Sequence, residues 1–322
     1  MSTTTSTLHV PAKTAPPFRI GDLVEYRGWR GRLEAGVNPF GPSGRERLIV
    51  TDDLGIEYWH DPVTDILFSS PRFSQASLDE SYQQPTAHID TRQFIGFDRR
   101  AWEHQADRSF VVSRLKADLV SQWLKPPSRI LDVGCHVGLF VMLAQEAGFE
   151  CQGIDVSADA VRIGTEQLGI AGLSACTLAQ ADIEAESFDA VMIWDVLEHL
   201  YDLTEMVQQC ATVLRRGGYL FAQVPNHRGI TAQLKTLACK LRIRHGRFDH
   251  FGFPWHLYHF SPKSLTLLAR RAGLEAVQIR SFSHRTKAGV SGQGLSRWIT
   301  RRIEQLAWSD YLYIVARKPA PI

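Results

Sequence analysis

Two carboxylates and two glycines in one short stretch of this chain have the types and spacing to bind an organic cofactor. Asp132 and Gly134 lie at the end of the aliphatic run Arg129–Val133, and Gly138 begins the next apolar, helix-like stretch. A second aliphatic run then ends at Asp155. Glycines in such a turn let the backbone approach a ligand closely, and ligands bind at the carboxyl ends of strands in open α/β sheets. A carboxylate at position 155 can accept both ribose hydroxyls of a nucleoside.

The glycine spacing helps to distinguish a dinucleotide ligand from a ligand that carries a cationic amino acid. A dinucleotide site favours Gly-x-Gly-x-x-Gly, whereas this chain has Gly134-x-x-x-Gly138 with His136 where the second glycine would fall. The carboxylate of Asp132 would repel a pyrophosphate but suits a ligand that carries a cationic amino acid. Two other interpretations stay open at this point: a nicotinamide-dependent oxidoreductase, and a βαβ unit whose glycines serve packing alone.

The Asp-x-Gly-Cys-x-x-Gly pattern resembles motif I of the class I S-adenosylmethionine (SAM) methyltransferases. Further segments, in the family's order, resemble its later motifs: 180–183, 187–200, 214–221, 256–262 and 272–274. The resemblance covers roughly residues 110–318 and is to the branch that contains ubiquinone O-methyltransferases and many glycan and natural-product methyltransferases. It implies an α/β fold with a Rossmann-like, seven-stranded, mostly parallel sheet whose last strand is antiparallel.

The same resemblance implies SAM as the cofactor and S-adenosylhomocysteine (SAH) as the product. We predict no metal, with a metal pair formed by His256 and His259 left open as an alternative. Asp182 falls where the family's acidic residue meets the adenine amino group, and Trp194 ends the predicted fourth strand. The residues expected to bind the cofactor are Asp132, Gly134, Cys135, His136, Gly138, Asp155, Val156, Asp182, Ile183 and Trp194.

Methyl transfer from a sulfonium requires alignment of the reacting atoms, and a base where the nucleophile carries a proton. Imidazole titrates near neutral pH, so His256 is our first choice for the base and His199 the second, with a purely structural His199 left open. Asp195 either binds the SAM ammonium or acts on the substrate. The residues expected to bind substrate are Asn226, His227, Trp255, Tyr258 and His259.

Composition shifts along the chain predict four parts. Residues 1–17 are rich in Ser, Thr and Pro and are predicted to be a disordered tail. Residues 18–72 form a small β-rich module, and 73–109 a linker with cover helices. Residues 110–318 form the methyltransferase domain, in which the segment 226–260 is a lid insertion.

The β-rich module resembles a zinc ribbon that has lost its metal. Residues 58–72 resemble half of a ribbon found ahead of many methyltransferases of this branch, but Asp61 and Thr64 occupy the two cysteine positions. A structural zinc site needs about four Cys or His ligands, and this module has no cysteine. We therefore predict a degenerate, metal-free ribbon. A site built from His60, His88 and carboxylates stays open as an alternative.

The bulk composition limits the partners. Lys and Arg number 36 and Asp and Glu 34, which argues against nucleic acid as the main partner. No apolar run reaches the ~18 residues of a membrane span, and five cysteines without a CxxC pair suggest reduced thiols in a cytoplasmic protein. The oligomeric state is not indicated.

Basic residues in the insertion suggest an anionic small-molecule acceptor: Lys235, Lys240, Arg242, Arg244 and Arg247.

We therefore predict SAM-dependent methyl transfer to a small molecule, with O-methylation favoured over N- or C-methylation. The acceptor is expected to be a glycan precursor or a secondary metabolite. Two alternatives stay open: a SAM-using enzyme with non-methyl chemistry, such as cyclisation or aminocarboxypropyl transfer, and a non-catalytic SAM-binding partner subunit.

Overall fold

The protein is described by a computed structural model. It covers residues 18–26, 29–52, 54–83, 108–241, 251–282 and 307–320. The predicted tail 1–17, His88 and most of the segment 73–109 lie outside these residues, so the predictions made for them are not addressed by the structure. Among the described helices, none has the length and apolar character needed to cross a lipid bilayer.

The N-terminal part consists of short antiparallel strands followed by one helix. The elements are β1 (Leu23–Tyr26), β2 (Trp29–Glu34), β3 (Arg47–Thr51), β4 (Glu57–Asp61), β5 (Ile66–Ser70), β6 (Arg72–Phe73) and α1 (Gln75–Gln83). Strands β1, β2 and β6 form one small sheet, and β3, β4 and β5 belong to a second.

The larger part alternates helices and strands. In chain order the elements are α2 (Arg108–Val120), β7 (Arg129–Val133), α3 (Leu139–Glu146), β8 (Glu150–Asp155), α4 (Ala158–Arg162) with a π-helical turn (Ile163–Gln167), β9 (Leu173–Ala175), β10 (Phe188–Trp194), a 3₁₀ turn (Leu197–His199), α5 (Leu203–Val213), β11 (Leu214–Pro225), α6 (Ile230–Lys240), β12 (Tyr258–His259), α7 (Pro262–Arg271), β13 (Glu275–Phe282) and β14 (Tyr311–Arg317).

The central sheet has seven strands in the order β13-β14-β11-β10-β7-β8-β9. Strands β11, β10, β7, β8 and β9 pair in parallel, and β14 pairs antiparallel with both of its neighbours. All seven residues of β10 are buried, as expected for a strand covered on both faces. The predicted Rossmann-like, mostly parallel sheet with a final antiparallel strand is therefore confirmed.

Local sequence signals account for two helix starts and for the end of one strand. Ser157 caps α4 by accepting from the amide of Ala160, and Ser261 caps α7 in a capping box with Pro262 in its first turn. Strand β9 ends at residue 175. There Thr177 and Gln180 form a hydrogen-bonded turn that ends the strand.

The insertion and the N-terminal module share one sheet. Strand β12 pairs antiparallel with β5, so that Tyr258 lies opposite Phe68. Side chains of both parts belong to one apolar cluster, in which the rings of Tyr58 and Phe251 are in contact, with centroids 4.6 Å apart and planes tilted by 36°. This pairing attaches the module to the wall of the methyltransferase domain. The domain boundaries themselves stay predictions.

The turn that would carry zinc ligands in a ribbon is held by hydrogen bonds instead. The Asp61 carboxylate accepts from the hydroxyls of Thr64 at 2.6 Å and Ser43 at 2.7 Å, and from the amide of Asn38 at 3.0 Å. Burial raises the pKa of Asp61, but these bonds and that from the Val63 amide outweigh it and lower the pKa to about 2. The two residues at the cysteine positions thus bond to each other and organise the turn.

Candidate active site

A cavity of about 1300 Å³ lies at the carboxyl ends of β7, β8 and β10. Its wall combines the turn after β7 with parts of α1, α2 and the segment 252–256. Eleven residues predicted to act in the site line it: Asp132, Gly134, Cys135, His136, Asp155, Val156, Trp194, Asp195, His199, Trp255 and His256. The structure thus brings most of the predicted cofactor and catalytic residues to one cavity.

The turn after β7 has a backbone conformation that only glycine adopts without strain at two positions. Gly134 has a φ of 78°, and a Cβ there would lie 2.4 Å from Cγ2 of Val196. Gly138 has a φ of 82°, and a Cβ there would lie 2.8 Å from Cδ1 of Leu173. Gly134 therefore lets the backbone lie open to the cavity, whereas Gly138, which is outside the cavity lining, serves close packing against β9.

Asp155 ties this turn to the end of β8. Its Oδ2 accepts from the backbone N–H of His136 at 2.7 Å, and its Oδ1 accepts from that of Ser157 at 2.8 Å. A carboxylate has about four lone-pair directions, so both oxygens retain acceptor capacity toward the cavity. Backbone capping and ribose binding by Asp155 are compatible.

Asp132 is the most deeply buried acid in the cavity wall. It is 2% exposed, and its Oδ1 has no hydrogen-bond partner among the described residues. Burial raises its pKa to about 7; Lys116 opposes this rise and Asp155 adds to it. An unsatisfied carboxylate oxygen at the inner end of a cavity suits a cationic ligand group. Trp194 Nε1 is likewise buried without a partner among the described residues.

Asp195 follows β10 in a left-handed conformation, with a φ of 59°. The amide of Gln223, on the neighbouring strand β11, donates to both of its oxygens at 2.7 and 2.6 Å. The ammonium of Lys116, on α2, lies 3.2 Å from its Oδ2. These contacts direct the Asp195 carboxylate between two elements of the cavity wall.

Two histidines lie side by side in the same cavity. The rings of His199 and His256 have centroids 4.9 Å apart and meet edge to face. Nδ1 of His199 lies 3.0 Å from the carbonyl oxygen of Trp255, and burial lowers the pKa of His199. A carbonyl only accepts, so a ring N–H of His199 donates to Trp255, and a second backbone hydrogen bond, to Asp195, also holds the ring.

Glu198 adds a buried acid beside these rings. It is 1% exposed, and burial, followed by the charge of Asp195, raises its pKa well above the ordinary value. Its Oε2 has no hydrogen-bond partner among the described residues. One ligand atom from each of Glu198, His199 and His256 lies within 4.8 Å of the others, so these residues could hold a divalent cation.

Four residues predicted to bind substrate lie outside the cavity lining. The Asn226 amide donates to the carbonyls of Ala307 and Ser309 at 2.8 Å each. His227 contacts the backbone carbonyl of Asp65 at 3.0 Å. Tyr258 and His259 form the buried strand β12. Pairing of β12 with β5 directs these side chains into the contact between the insertion and the N-terminal module.

The predicted adenine-binding acid also lies elsewhere. Asp182 is exposed, and neither it nor Ile183 belongs to the cavity lining. The reason is the early end of β9, after which Cys176, Thr177 and Gln180 reach the cavity instead.

The structure adds residues that the sequence did not single out. Lys116 lies outside every recognised motif, and helix α1 contributes Gln75, Leu78, Asp79, Ser81 and Tyr82. Burial raises the pKa of Asp79 and of Tyr82. The ring of Tyr82 meets that of His199 edge-on at 6.4 Å. The N-terminal module thus supplies part of the cavity wall through α1.

The chain is similar to several known proteins. A family model described as "Methyltransferase domain" matches residues 87–279. A "Ubiquinone biosynthesis O-methyltransferase" from Ralstonia nicotianae is 29% identical over 169 residues, covering 50% of this chain and 68% of the relative. One from Xanthomonas axonopodis pv. citri is 26% identical over 239 residues, covering 70% and 92%. The solved structure of a SAM-dependent methyltransferase from Archaeoglobus fulgidus shares 21% identity and covers 66% of this chain and 95% of its own, with a TM-score of 0.49.

The buried carboxylate with an unpartnered oxygen, the glycine turn and the acid at the end of β8 fit a nucleoside that carries a cationic amino acid, which is the chemistry of SAM. The family match spans more than half of the chain. The chain therefore belongs to the methyltransferase domain family and is a SAM-dependent methyltransferase.

Proposed function

We propose that this enzyme transfers the methyl group of SAM to a hydroxyl oxygen of a small-molecule acceptor, of the kind found among glycan precursors and secondary metabolites. The observation that carries the proposal is the pair of neighbouring imidazoles, His199 and His256, in the cavity that contains the motif I turn. A hydroxyl nucleophile must lose a proton, and a neutral imidazole can accept it. The names of the curated relatives, which are O-methyltransferases, support transfer to oxygen.

The state of His199 fits the role of a base. Burial lowers its pKa, so the ring is mainly neutral at pH 7, and its Nδ1 is hydrogen-bonded to the carbonyl of Trp255. His256 stands beside it and lines the cavity directly. We propose His256 as the base, with His199 as the alternative, and Asp195 as the acid that orients the reacting groups.

The cofactor side of the cavity is assigned to the residues around the motif I turn. When bound there, SAM supplies an electrophilic methyl on a sulfonium. We propose that Asp155 binds the ribose hydroxyls and that Asp132 faces the cationic amino-acid end. Trp194 would cover the cofactor with its ring. The remaining contacts in this proposal come from Gly134, Cys135, His136 and Val156.

The charged side chains that line the cavity are relevant to the charge of the acceptor. Four carboxyl side chains line the described cavity, those of Asp79, Asp132, Asp155 and Asp195. Lys116 is the single lysine or arginine side chain in that lining. The basic residues that suggested an anionic acceptor lie on α6, which has no buried residue, or in 242–250, outside the described part. Asp132 and Asp155 are assigned to the cofactor in this proposal, so these charges do not decide the charge of the acceptor, and an anionic acceptor stays a prediction.

Product analysis with a panel of acceptors tests this proposal. The enzyme is incubated with SAM carrying a ¹³C-methyl group and with phenols, sugar derivatives, amines and carboxylates. Release of SAH together with a ¹³C O-methyl signal in NMR is the expected result. Methylthioadenosine in place of SAH, or transfer to nitrogen alone, would overturn it. Cytoplasmic location and the absence of a nucleic-acid partner stay proposals that cell fractionation and a nucleic-acid binding assay can test.

A further inference from the structure

Two histidines and an aspartate meet where the N-terminal module contacts the methyltransferase domain, and none of the three lines the cavity. His60 lies on β4, Asp65 in the turn between β4 and β5, and His227 shortly after β11. Nε2 of His60 lies 2.7 Å from Oδ1 of Asp65, and Nε2 of His227 lies 3.9 Å from the same oxygen. Each residue offers one ligand atom, and these atoms all lie within 4.8 Å of one another.

Strand geometry separates this group from the turn that would hold zinc in a ribbon. Successive side chains on a strand point to opposite faces. The Asp61 carboxylate points into the module, where it accepts from the Thr64 hydroxyl. The neighbouring His60 therefore faces the methyltransferase domain, where its ring centroid lies 5.6 Å from that of His227. Asp65, with a φ of 58° in the same turn, directs its carboxylate to this second side.

The group has the composition and the burial of a metal site. The side chains of His60, Asp65 and His227 are 17%, 15% and 6% exposed, so a bound ion would be shielded from most of the solvent. Two imidazoles and a carboxylate are ligands that Zn²⁺ accepts, and three protein ligands leave its fourth position to water. We propose that His60, Asp65 and His227 bind a zinc ion that joins the N-terminal module to the methyltransferase domain.

The position of this site points to a structural role for the ion. The module is already attached by the pairing of β5 with β12, and zinc would add a second attachment beside it. The module also contributes α1 to the wall of the cavity. Zinc therefore stabilises the arrangement that forms the cavity and takes no part in methyl transfer.

A network of hydrogen bonds without a metal is the competing explanation. The guanidinium of Arg228 pairs with both oxygens of Asp65, and Nε2 of His227 lies 3.0 Å from the Asp65 carbonyl oxygen. Arg228 is about half exposed, so it can move into solvent when an ion binds. The two explanations differ over Arg228, because a network needs its guanidinium, whereas a metal ion competes with it for Asp65.

Titration calorimetry with zinc chloride, on the full chain first stripped of metal with a chelator, tests the proposal. The variants are His60→Gln, His227→Gln and Arg228→Met. His256→Gln is the matched control, because this histidine belongs to a second group of possible metal ligands, which lies in the cavity. Thermal melting without zinc shows that each variant is folded, and melting with zinc measures the stabilisation by the ion.

We expect the wild type to bind about one zinc ion per chain and to melt at a higher temperature with zinc than without it. His60→Gln and His227→Gln should each weaken zinc binding by at least about 100-fold, since loss of even an outer-shell partner costs about 10- to 100-fold. Arg228→Met should bind zinc at least as tightly as the wild type, and His256→Gln should match the wild type.

Absence of zinc binding by the wild type would overturn the proposal without any variant. Loss of zinc binding in His256→Gln but not in His60→Gln would place the ion in the cavity and would overturn it as well. Weaker zinc binding by folded Arg228→Met would favour the hydrogen-bond network instead. Should a histidine variant not fold, the titrations of the wild type, Arg228→Met and His256→Gln still decide.

Discussion

Substitution of Gly134 by alanine tests how the turn after β7 forms the cofactor site. The residue has a φ of 78°, and a Cβ would lie 2.4 Å from Cγ2 of Val196. The left-handed conformation alone costs an L-residue about 1–2 kcal/mol. Displacing a neighbouring side chain adds about 1–3 kcal/mol. Gly134→Ala should therefore lower the free energy of unfolding by about 2–5 kcal/mol.

Gly169→Ala is the matched control. Its φ is 68°, also left-handed, but a Cβ there meets nothing within 4 Å. It should cost about 1–2 kcal/mol of stability and leave SAH affinity unchanged. The double variant Gly134→Ala/Val196→Ala should recover the steric part of the loss but not the conformational part.

Urea unfolding and SAH titration of these variants provide the measurements. Gly134→Ala should weaken SAH by more than about tenfold, because the added methyl displaces either Val196 or the cofactor-facing backbone. If Gly134→Ala is as stable as Gly169→Ala and binds SAH like the wild type, the close approach described for this turn has no role in the site.

Three further predictions follow from single side chains. The pKa of Asp132 is raised to about 7 by burial, so the folded protein binds more protons than the unfolded chain between about pH 4 and 7. The free energy of unfolding should therefore decrease as pH rises from about 4 to 7. In Asp132→Asn, urea unfolding at several pH values should not show this decrease. Burial lowers the pKa of His227 to about 4, so the free energy of unfolding should decrease by about 1–3 kcal/mol as pH falls from 6.5 to 4. If the free energy of unfolding of His227→Gln depends on pH as steeply as that of the wild type, this prediction is wrong. His256→Gln should lower kcat by about 10²- to 10⁴-fold if it is the base, with SAH affinity within about twofold of the wild type; an unaltered kcat would transfer the role to His199. 

The residues of the cofactor half of the site could be predicted from the sequence because they lie close together in the chain. The strand Arg129–Val133, the glycines after it and Asp155 lie within one βαβ unit. Their spacing therefore carries the chemistry without knowledge of distant contacts. The mostly parallel sheet and its antiparallel last strand followed from the alternation of elements and from the resemblance to a known family.

The acceptor half depends on contacts that sequence spacing does not show. Tyr258 and His259 have the composition of a binding segment, but β12 pairs with β5 near residue 68, so their side chains are buried between two parts of the chain. Lys116 and Tyr82 line the cavity because the fold brings α2 and α1 to its wall. No local motif marks either residue, and only the tertiary arrangement brings them to the site.

The central claim is that SAM binds at the carboxyl ends of β7, β8 and β10, and titration of SAH against two aspartate variants tests it most directly. Asp155 lines the cavity, whereas Asp182, which was also predicted to bind the cofactor, is exposed and outside the lining. We expect the wild type and Asp182→Ala to bind SAH with the same affinity, and Asp155→Ala to lose at least about tenfold while remaining folded in a thermal melt. Absence of SAH binding by the wild type, or equal losses in both variants, would contradict the account.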